Sequence, residues 1–305
     1  MTKVAVVMVT FNGEKYIEEQ LVSILNQKLD DDIELDIYVR DNASTDNTVA
    51  ILNEYEKENK IKLTCLKNDG PAVSFLSLIR KIDGYDYYFL CDQDDYWNKE
   101  KVSISLARMK NDKVPTMFFS NAELVNEKME TMNCNVYKKE PPHDLMTIAC
   151  SGGILGCTVA FNAELRNFIL NIPIKKGQII MHDYLLALVC AAIDGRIIYY
   201  DQPLVKYRQH GNNVVGVSTS VRSKLISRFK NIYKKNVVSI SEQTSLVLDS
   251  LKNHISKSNV DKLSCIVNYK KNRLTRLLLA LSTQTKYYSF TASLSVRLGI
   301  LMGNV

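Results

Sequence analysis

The sequence predicts an α/β protein with a mostly parallel central sheet, helices on both faces of that sheet, and a helical extension at the C-terminus. Over the first 120 residues, short β-branched or aromatic runs alternate with stretches of helical period. The ends of these runs recur at intervals of about 25–31 residues, the length of one strand and its following helix. The composition, 46% hydrophobic and 24% charged with 12 Gly and 6 Pro among 305 residues, excludes a disordered or collagen-like chain.

The five strands predicted in this region cover residues 4–9, 37–40, 61–66, 87–91 and 116–120. The helices between them follow polar residues that can cap a helix, Ser44-Thr45-Asp46 before the second and Asn98 before the fourth. Residues 121–150 lose this period and contain Pro141-Pro142, so we expect a long loop or a mobile segment there. Further strands are predicted at 158–161, 197–200 and 204–207, with a helix at 182–193.

Charge divides the chain near residue 216, where we place a domain boundary between residues 1–216 and 217–305. The second part holds 15 Lys and Arg against three acidic residues, a net charge of +12, whereas the first part has a net charge of −6. Residues 222–235 alone contain six basic and no acidic side chains. This asymmetry favours an anionic partner for the C-terminal helices, a membrane surface or a nucleic acid, although a solvated helix face has the same pattern.

Cysteine usage and hydropathy favour a cytoplasmic protein. The seven Cys form no Cys-x-x-Cys pair and stand mostly in apolar runs, so we expect reduced core thiols that bind no zinc. The longest apolar run, residues 184–193, falls short of the ~20 residues that span a membrane. The first predicted strand begins at residue 4, with no basic n-region or cleavage site of a secretion signal, so we do not expect secretion.

Polar side chains follow three of the predicted strands, at the edge where open α/β sheets carry their active sites. The first strand ends at Thr10-Phe11-Asn12-Gly13, the second at Asp41-Asn42 and the fourth at Asp92-Gln93-Asp94-Asp95. Three carboxylates within four residues repel one another unless a cation neutralises them, and Mg²⁺ or Mn²⁺ holding a phosphate is the usual partner. The alternative is an acidic loop that only caps the helix beginning near Lys99.

Two phosphate-binding motifs are missing from the sequence. No G-x-G-x-x-G follows the first strand, and no G-x-x-x-x-G-K-[ST] occurs anywhere in the chain. Dinucleotide cofactors and P-loop nucleotide hydrolysis therefore lose support. A phosphate bound here must be held by a metal ion and side chains, because no glycine-rich cradle is available.

The motifs after the strands, taken in order, resemble those of glycosyltransferase family 2. Two later motifs, His182-Asp183-Tyr184 and Tyr207-Arg208-Gln209-His210-Gly211-Asn212-Asn213, look like the closing motifs of that family. The match spans roughly residues 3–216, and the most similar branch is the bacterial rhamnosyltransferase-like enzymes of surface polysaccharide synthesis. The resemblance implies the GT-A fold, a nucleotide-sugar donor, a divalent metal and an inverting displacement.

The resemblance also implies roles for individual residues of the donor site. Thr10, Phe11 and Asn12 would border the base and ribose, and Asp41 would hydrogen-bond the base edge. Arg208 would clamp the diphosphate. Asn42 stands where the family commonly has a second Asp, so its role is open.

For the metal site, the resemblance makes Asp94 the direct ligand and gives Asp92 a contact to the ribose or to a water of the metal. His210 would reach the metal or the diphosphate, or pack as a structural side chain. Asp95 would orient the loop. Trp97 would stack on the donor or pack in the core.

Asp183 is the candidate general base, because an inverting transfer needs a carboxylate that takes the proton of the acceptor hydroxyl. A helix begins near this residue, so Asp183 can instead be its N-cap. His182 is the second candidate for the base. The glycines at 152, 153 and 156 would let an acceptor sugar approach the backbone, or simply form a turn.

We expect an enzyme that moves L-rhamnose from dTDP-rhamnose to a lipid-linked oligosaccharide at the inner face of the cell membrane. Each basic side chain near an anionic leaflet contributes ~1 kcal/mol, so residues 222–235 would hold the protein there peripherally. A UDP- or GDP-sugar donor is the alternative within the same fold. A non-catalytic nucleic-acid-binding or membrane-binding protein is the alternative from another class. Nucleic-acid binding is disfavoured because the basic region contains no recognised nucleic-acid-binding motif.

Overall fold

The computed structural model describes residues 1–110, 113–174, 177–211, 238–282 and 290–303. The chain divides into two compact units. The sheet unit comprises Met1–Glu140, Leu155–Asn167 and Arg196–Gly216, and the helical unit comprises Pro141–Ile154, Phe168–Gly195 and Val217–Val305. The domain boundary at residue 216 stays a prediction: the sheet unit does end there, but two earlier segments belong with the C-terminal residues in the helical unit.

The sheet unit alternates strands and helices over its first 110 residues. Its strands are β1 (Thr2–Thr10), β2 (Ile33–Asp41), β3 (Lys62–Cys65), β4 (Tyr87–Cys91), β5 (Tyr96–Trp97), β6 (Thr116–Val125), β7 (Thr131–Asn135), β8 (Ala160–Asn162) and β9 (Arg196–Arg208). Its helices are α1 (Ile17–Leu25), α2 (Thr48–Lys57), α3 (Pro71–Lys81) and α4 (Lys101–Met109).

The helical unit carries no strand among its described residues. Its helices are α5 (Leu145–Ser151), α7 (His182–Ala192), α8 (Ile240–Leu251), α9 (Lys257–Val267), α10 (Arg273–Leu281) and α11 (Phe290–Met302), while α6 (Ala163–Leu170) begins in the sheet unit. No helix of the described residues combines the length and the apolar character that crossing a bilayer requires. The predicted basic segment 222–235 lies outside the described residues.

The nine strands form one mixed sheet in the order β3-β2-β1-β4-β8-β6-β9-β5, with β7 paired to β6. Strands β3, β2, β1 and β4 are parallel, as are β6 and β9, while β8 runs antiparallel between β4 and β6. Residues 4–9 of β1 are all buried, because a central parallel strand is covered on both faces. The predicted α/β architecture with a mostly parallel sheet is confirmed.

The prediction of a long loop over 121–150 is wrong. Strand β6 continues to Val125, β7 follows, and α5 begins at Leu145 with the Asp144 side chain accepting a hydrogen bond from the Thr147 amide. Strand β9 pairs with β6 along its length, so the two strands predicted at 197–200 and 204–207 are one. The pairing register shifts around Asn121, opposite Pro203, and this irregularity hides the strand period in the sequence.

The predicted helix caps lie too early in the chain. Helix α2 begins at Thr48, and Asp46 accepts a hydrogen bond from the Thr48 amide at 3.0 Å. Helix α4 begins at Lys101, and Asn98 accepts one from the Glu100 amide at 3.0 Å. Both side chains close a turn just before the helix, which is the other common use of Asp and Asn.

Arg166 of α6 anchors the end of α3 in the sheet unit. Its guanidinium is buried and donates to the backbone oxygens of Ile79 (3.0 Å) and Arg80 (3.3 Å). It also contacts the Asp83 carboxylate at 3.0 Å and lies 5.4 Å from the centre of the Tyr88 ring. The last carbonyls of a helix have no partner within the helix, so this side chain supplies their donors.

We expect Arg166→Leu to lower the free energy of unfolding by about 2 kcal/mol, because it leaves two buried carbonyl oxygens without donors. Asp83→Asn is the matched control: the Asp83 side chain is 86% exposed, and exposed ion pairs contribute little. Urea unfolding of both variants measures the difference. Equal destabilisation by the two substitutions would show that the ion pair, not the capping, stabilises this end of α3.

Candidate active site

The polar motifs of the sequence meet at one edge of the sheet unit. Strand β1 lies between β2 and β4, and all three are parallel, so their carboxyl ends carry residues 10–13, 41–44 and 92–95 side by side. The end of β9 joins them, since the Arg208 amide donates to Asp95 Oδ1 at 3.1 Å. The structure therefore brings together four of the five motifs, and the fifth, at 182–184, belongs to the helical unit.

Asp41 organises the loops that follow β1 and β2. Its carboxylate is fully buried and accepts from the Thr10 hydroxyl (2.9 Å) and from the hydroxyl and amide of Ser44 (2.5 and 2.8 Å). Ser44 Oγ in turn accepts from the Asn12 amide at 2.8 Å, and Asn12 adopts a left-handed φ of 50°. The predicted contact of Asp41 with a base stays a prediction; the contacts present hold Asn12 and Ser44 in position.

Asn42, the departure from the family pattern, is a buried structural amide. Its Oδ1 accepts from Arg40 Nε at 3.1 Å and from the Ser74 hydroxyl at 2.9 Å. Arg40 also contacts Asp69 at 3.2 Å, so it already has a carboxylate partner. A neutral side chain at 42 accepts both bonds without adding a second buried charge.

Gln93 is a site residue that sequence reasoning missed. Its amide oxygen accepts from the Phe11 amide at 2.8 Å, and its amide nitrogen donates to the Phe11 carbonyl at 3.1 Å. A Cβ on Gly13 would lie 2.4 Å from Gln93 Oε1, so glycine makes room for this bridge. The Phe11 ring is left 45% exposed. The position of Gln93 between two aspartates was the signal available in the sequence.

Asp94 and His210 lie side by side, although 116 residues separate them in the chain. Asp94 Oδ2 and His210 Nε2 are 2.7 Å apart, and the side chains are 16% and 7% exposed. The Tyr16 ring lies 5.0 Å from the imidazole, centre to centre, and the backbone oxygen of Asp94 accepts from Arg208 Nε at 2.9 Å. These contacts fix the orientation of both side chains.

This pair fits a divalent cation. A carboxylate oxygen and an imidazole nitrogen are both ligands for Mn²⁺, and their present separation allows one ion to contact both with little movement. Partial exposure leaves further coordination positions for water or phosphate. Asp92 lies two residues away on the same loop and is partly exposed.

Arg208 holds the acidic loop after β4 in place and is 2% exposed. Besides Asp94, its guanidinium donates to the Glu127 backbone oxygen at 2.8 Å and to the Glu19 carboxylate. It also lies 4.6 Å from the centre of the Tyr16 ring. These contacts give Arg208 a positioning role, and the diphosphate clamp stays a prediction.

Asp95 differs from its two neighbours because it is fully buried. Burial, together with the charges of Asp94 and Asp92, raises the pKa of Asp95 well above its ordinary value. Carboxyl oxygens of Asp92 and Asp95 lie within 4.8 Å of each other and of the Cys157 sulfur, whose pKa burial also raises. Metal binding requires ionised ligands, and burial disfavours the charged forms of Asp95 and Cys157.

Trp97 packs in the core, which is the second of the two roles considered for it from the sequence. It is fully buried, 6.0 Å from the Phe89 ring, and Lys101 Nζ lies 3.7 Å from its ring centre. Lys101 is also fully buried and donates to the Cys157 backbone oxygen at 2.6 Å. Burial lowers the pKa of Lys101 to about 8.

In the helical unit, Asp183 stands in the first turn of α7, and its N-cap interpretation is wrong because the cap is Met181. Asp183 Oδ1 accepts from the Tyr184 amide at 2.7 Å. A carboxylate in a first turn is stabilised by the helix dipole.

His182 is 3% exposed, and burial lowers its pKa to about 3, which argues against it as a base.

The glycine at 152 fits the turn interpretation. Gly152 has a φ of 62°, which is strained for other residues, and a Cβ there would lie 3.2 Å from the Tyr184 ring. The Tyr184 hydroxyl donates to the Ala149 backbone oxygen at 2.7 Å. Gly152 thus ends α5 and packs under Tyr184. An approach of an acceptor sugar to these glycines stays a prediction.

Comparison with known proteins places these features in a family. The model of "Glycosyl transferase family 2" matches residues 5–167. The chain is 28% identical over 284 residues to the dTDP-rhamnosyl transferase RfbG of Shigella flexneri, covering 87% of this chain and 94% of that protein. It is 32% identical over 109 residues to the poly(ribitol-phosphate) β-N-acetylglucosaminyltransferase TarS of Staphylococcus aureus, covering 35% of this chain and 19% of that enzyme.

The fold has a solved counterpart. The structure of S. aureus TarS 1–349 in complex with UDP-GlcNAc superposes with a TM-score of 0.57 at 17% identity, covering 99% of this chain and 91% of that one. At this identity the likeness concerns the fold alone. It confirms the GT-A fold that the motifs imply.

We expect the free energy of unfolding of the wild type, relative to Lys101→Met, to rise between pH 8 and pH 10.5. In the folded protein Lys101 gives up its proton near pH 8, whereas the unfolded chain keeps it up to the ordinary value of 10.5. The unfolded state then binds more protons, so stability increases with pH over that window. Denaturant unfolding at several pH values measures the difference. The exposed Lys99→Met is the control, and a constant offset for Lys101→Met would contradict the lowered pKa.

Proposed function

Because the chain belongs to glycosyltransferase family 2, we propose that it transfers a sugar with inversion from a nucleotide-sugar donor held at the carboxyl ends of β1, β2 and β4. The observation that carries this proposal is the pairing of Asp94 with His210, 2.7 Å apart, beside the partly exposed Asp92. This arrangement can receive a metal-bound diphosphate. Adjoining it, the Phe11 ring is exposed at the end of the neighbouring strand.

Residues after β1 and β2 form the proposed base and ribose subsite. The exposed Phe11 ring offers an apolar face for a nucleobase. The backbone amide and carbonyl of Phe11 are already hydrogen-bonded to the Gln93 side chain. Thr10 and Asn12 are held by Asp41 and Ser44, so the walls of the subsite are preorganised before the donor arrives. Asp92, at the adjoining strand end, would contact the ribose.

Asp94 and His210 would hold Mg²⁺ or Mn²⁺, with Asp92 nearby. Such an ion neutralises the charge that develops on the departing nucleoside diphosphate. The role of the protein is to orient the two ligands: Arg208 binds the Asp94 carbonyl, and Tyr16 packs near the His210 ring. A buried guanidinium is suited to this task because its planar fork is rigid.

Asp183 is the proposed base. The acceptor hydroxyl oxygen bonds to the anomeric carbon while the bond from that carbon to the diphosphate oxygen breaks. The hydroxyl proton passes to the Asp183 carboxylate, and the nucleoside diphosphate leaves with the electron pair. A base in the first turn of a helix is held as the carboxylate, since the helix N-terminus favours negative charge.

The donor we favour is dTDP-rhamnose, because the relative that aligns over 94% of its length carries dTDP-rhamnosyl transferase in its name. A UDP-sugar is the alternative, since the solved counterpart binds UDP-GlcNAc, and a GDP-sugar would fit the same fold. The proposed acceptor is a lipid-linked oligosaccharide of surface polysaccharide synthesis. We place the enzyme in the cytoplasm, at the anionic inner surface of the cell membrane, and expect no nucleic-acid partner.

With Mg²⁺ or Mn²⁺ present, we expect release of nucleoside diphosphate from dTDP-rhamnose, and little from UDP-glucose, UDP-galactose, UDP-GlcNAc or GDP-mannose. Asp94→Asn should lose nucleotide binding in calorimetry, because one ligand of the cation is gone, and EDTA should do the same to the wild type. The exposed Asp31→Asn is the control for a lost charge. Full activity in excess EDTA would refute the metal assignment, and preference for a UDP-sugar would replace the donor.

Asp183→Asn should fail differently from Asp94→Asn. It keeps the size and hydrogen-bonding oxygen of the side chain but removes the proton-accepting charge. We expect nucleotide affinity near that of the wild type and turnover lower by ~10²-fold or more. Calorimetry with nucleotide and metal, beside a transfer assay with acceptor, separates binding from chemistry. Transfer at the wild-type rate would leave Asp183 as a first-turn residue of α7 only.

A further inference from the structure

Helix α10 exposes a stripe of four leucines. Leu274, Leu277, Leu278 and Leu281 recur at the i, i+3, i+4, i+7 spacing of one helix face and are 63%, 44%, 63% and 66% exposed. The residues that α10 buries are Leu279 and Ala280, at other positions around the helix. The leucine stripe is therefore distinct from the side by which α10 packs in the helical unit.

The helix that carries the leucine stripe is held at both ends. At its start, the Asn272 side chain accepts from the Thr275 amide at 2.8 Å, forming a capping box. At its end, Arg297 of α11 donates to the backbone oxygens of Ala280 and Ser282, the latter at 3.1 Å. Capping at both ends disfavours fraying, so the leucines are presented on a formed helix.

The sequence on either side of the leucine stripe is basic. Residues 262–305 contain seven Lys and Arg and no Asp or Glu. Three of these cations, Lys270, Lys271 and Arg273, are exposed at the N-terminal end of the stripe. An apolar face with basic flanks is typical of helices that lie in the interface of an anionic bilayer.

We propose that α10 docks in the plane of an anionic lipid bilayer, with its four leucines among the acyl chains and Lys270, Lys271 and Arg273 at the headgroups. The inference rests on the proposed function in that a lipid-linked acceptor requires the enzyme at a membrane, and it assigns that contact to α10. A second copy of the chain is the poorer occupant. A two-fold pairing of the same face would bring its basic residues against one another, and residues 262–305 supply no acidic residue to match them.

The test is co-sedimentation of the full chain with vesicles of phosphatidylcholine containing about 30 mol % phosphatidylglycerol. The leucine variant carries Leu274→Gln, Leu278→Gln and Leu281→Gln, since glutamine is a good helix former and these positions are exposed. We expect its partition to fall by about tenfold or more. The matched control changes three exposed apolar residues of the sheet unit, Val22→Gln, Leu25→Gln and Val114→Gln, and should bind as the wild type does.

A charge variant, with Lys270→Gln, Lys271→Gln and Arg273→Gln, should also bind these vesicles more weakly, and wild-type binding should fall with salt. Wild-type binding to pure phosphatidylcholine should be weaker than to the anionic vesicles. Circular dichroism and thermal unfolding confirm that each variant is folded.

Undiminished binding of the leucine variant overturns the proposal, as does equal binding of the wild type to neutral and anionic vesicles. If the wild type instead forms a dimer that depends on the leucines, and this dimer does not bind vesicles, the leucine stripe contacts a second copy of the chain. That result also overturns the membrane proposal.

Nucleotide binding and donor hydrolysis without vesicles separate this inference from the proposed function. Both should be unchanged in the leucine variant, because α10 contributes no residue to the proposed donor site. Loss of vesicle binding with normal donor hydrolysis supports the assignment to α10. Leucine-dependent vesicle binding in a wild type that uses no nucleotide-sugar would overturn the proposed function and leave the membrane surface standing.

Discussion

The attachment of β9 to the acidic loop after β4 is the interaction on which the candidate site depends. Arg208 makes it twice, by its backbone amide to Asp95 and by its guanidinium to the Asp94 carbonyl. A buried guanidinium is tolerated only where its donors are satisfied, and the Glu19 carboxylate and Glu127 carbonyl satisfy the others. Because the end of β9 is fixed in this way, His210, two residues further along the chain, lies next to Asp94.

Burial separates the three neighbouring carboxyl groups into two kinds. Asp95 is fully buried, and burial together with the charges of Asp94 and Asp92 raises its pKa. Asp92 and Asp94 remain partly exposed. A third negative charge in this loop is therefore disfavoured beside the charges of Asp92 and Asp94. Two carboxylates match the charge of the single divalent cation that we propose there.

Much of the fold was predictable from local pattern. The strands around residues 4–9, 37–40 and 87–91 have uniform apolar or β-branched runs, so periodicity located them, and their polar ends located the site. Prediction failed at residues 121–150, and it also divided β9 into two strands. The pairing register of β6 with β9 shifts at Asn121, opposite Pro203, and this shift interrupts the strand period in both places. Prediction also missed Gln93, because a side chain that binds the backbone of a distant loop leaves no periodic signal in the sequence.

The sequence by itself determined the α/β class, the acidic loop and its position at a strand end, because these follow from short-range order of residues along the chain. Tertiary structure decided which of the motif residues face solvent and which are buried. Only the folded chain shows that Arg208 is buried and that Asp94 meets His210 across 116 residues. It also decided that the leucines of α10 are exposed. Burial and pKa depend on neighbours from distant parts of the chain, and local sequence does not specify those neighbours.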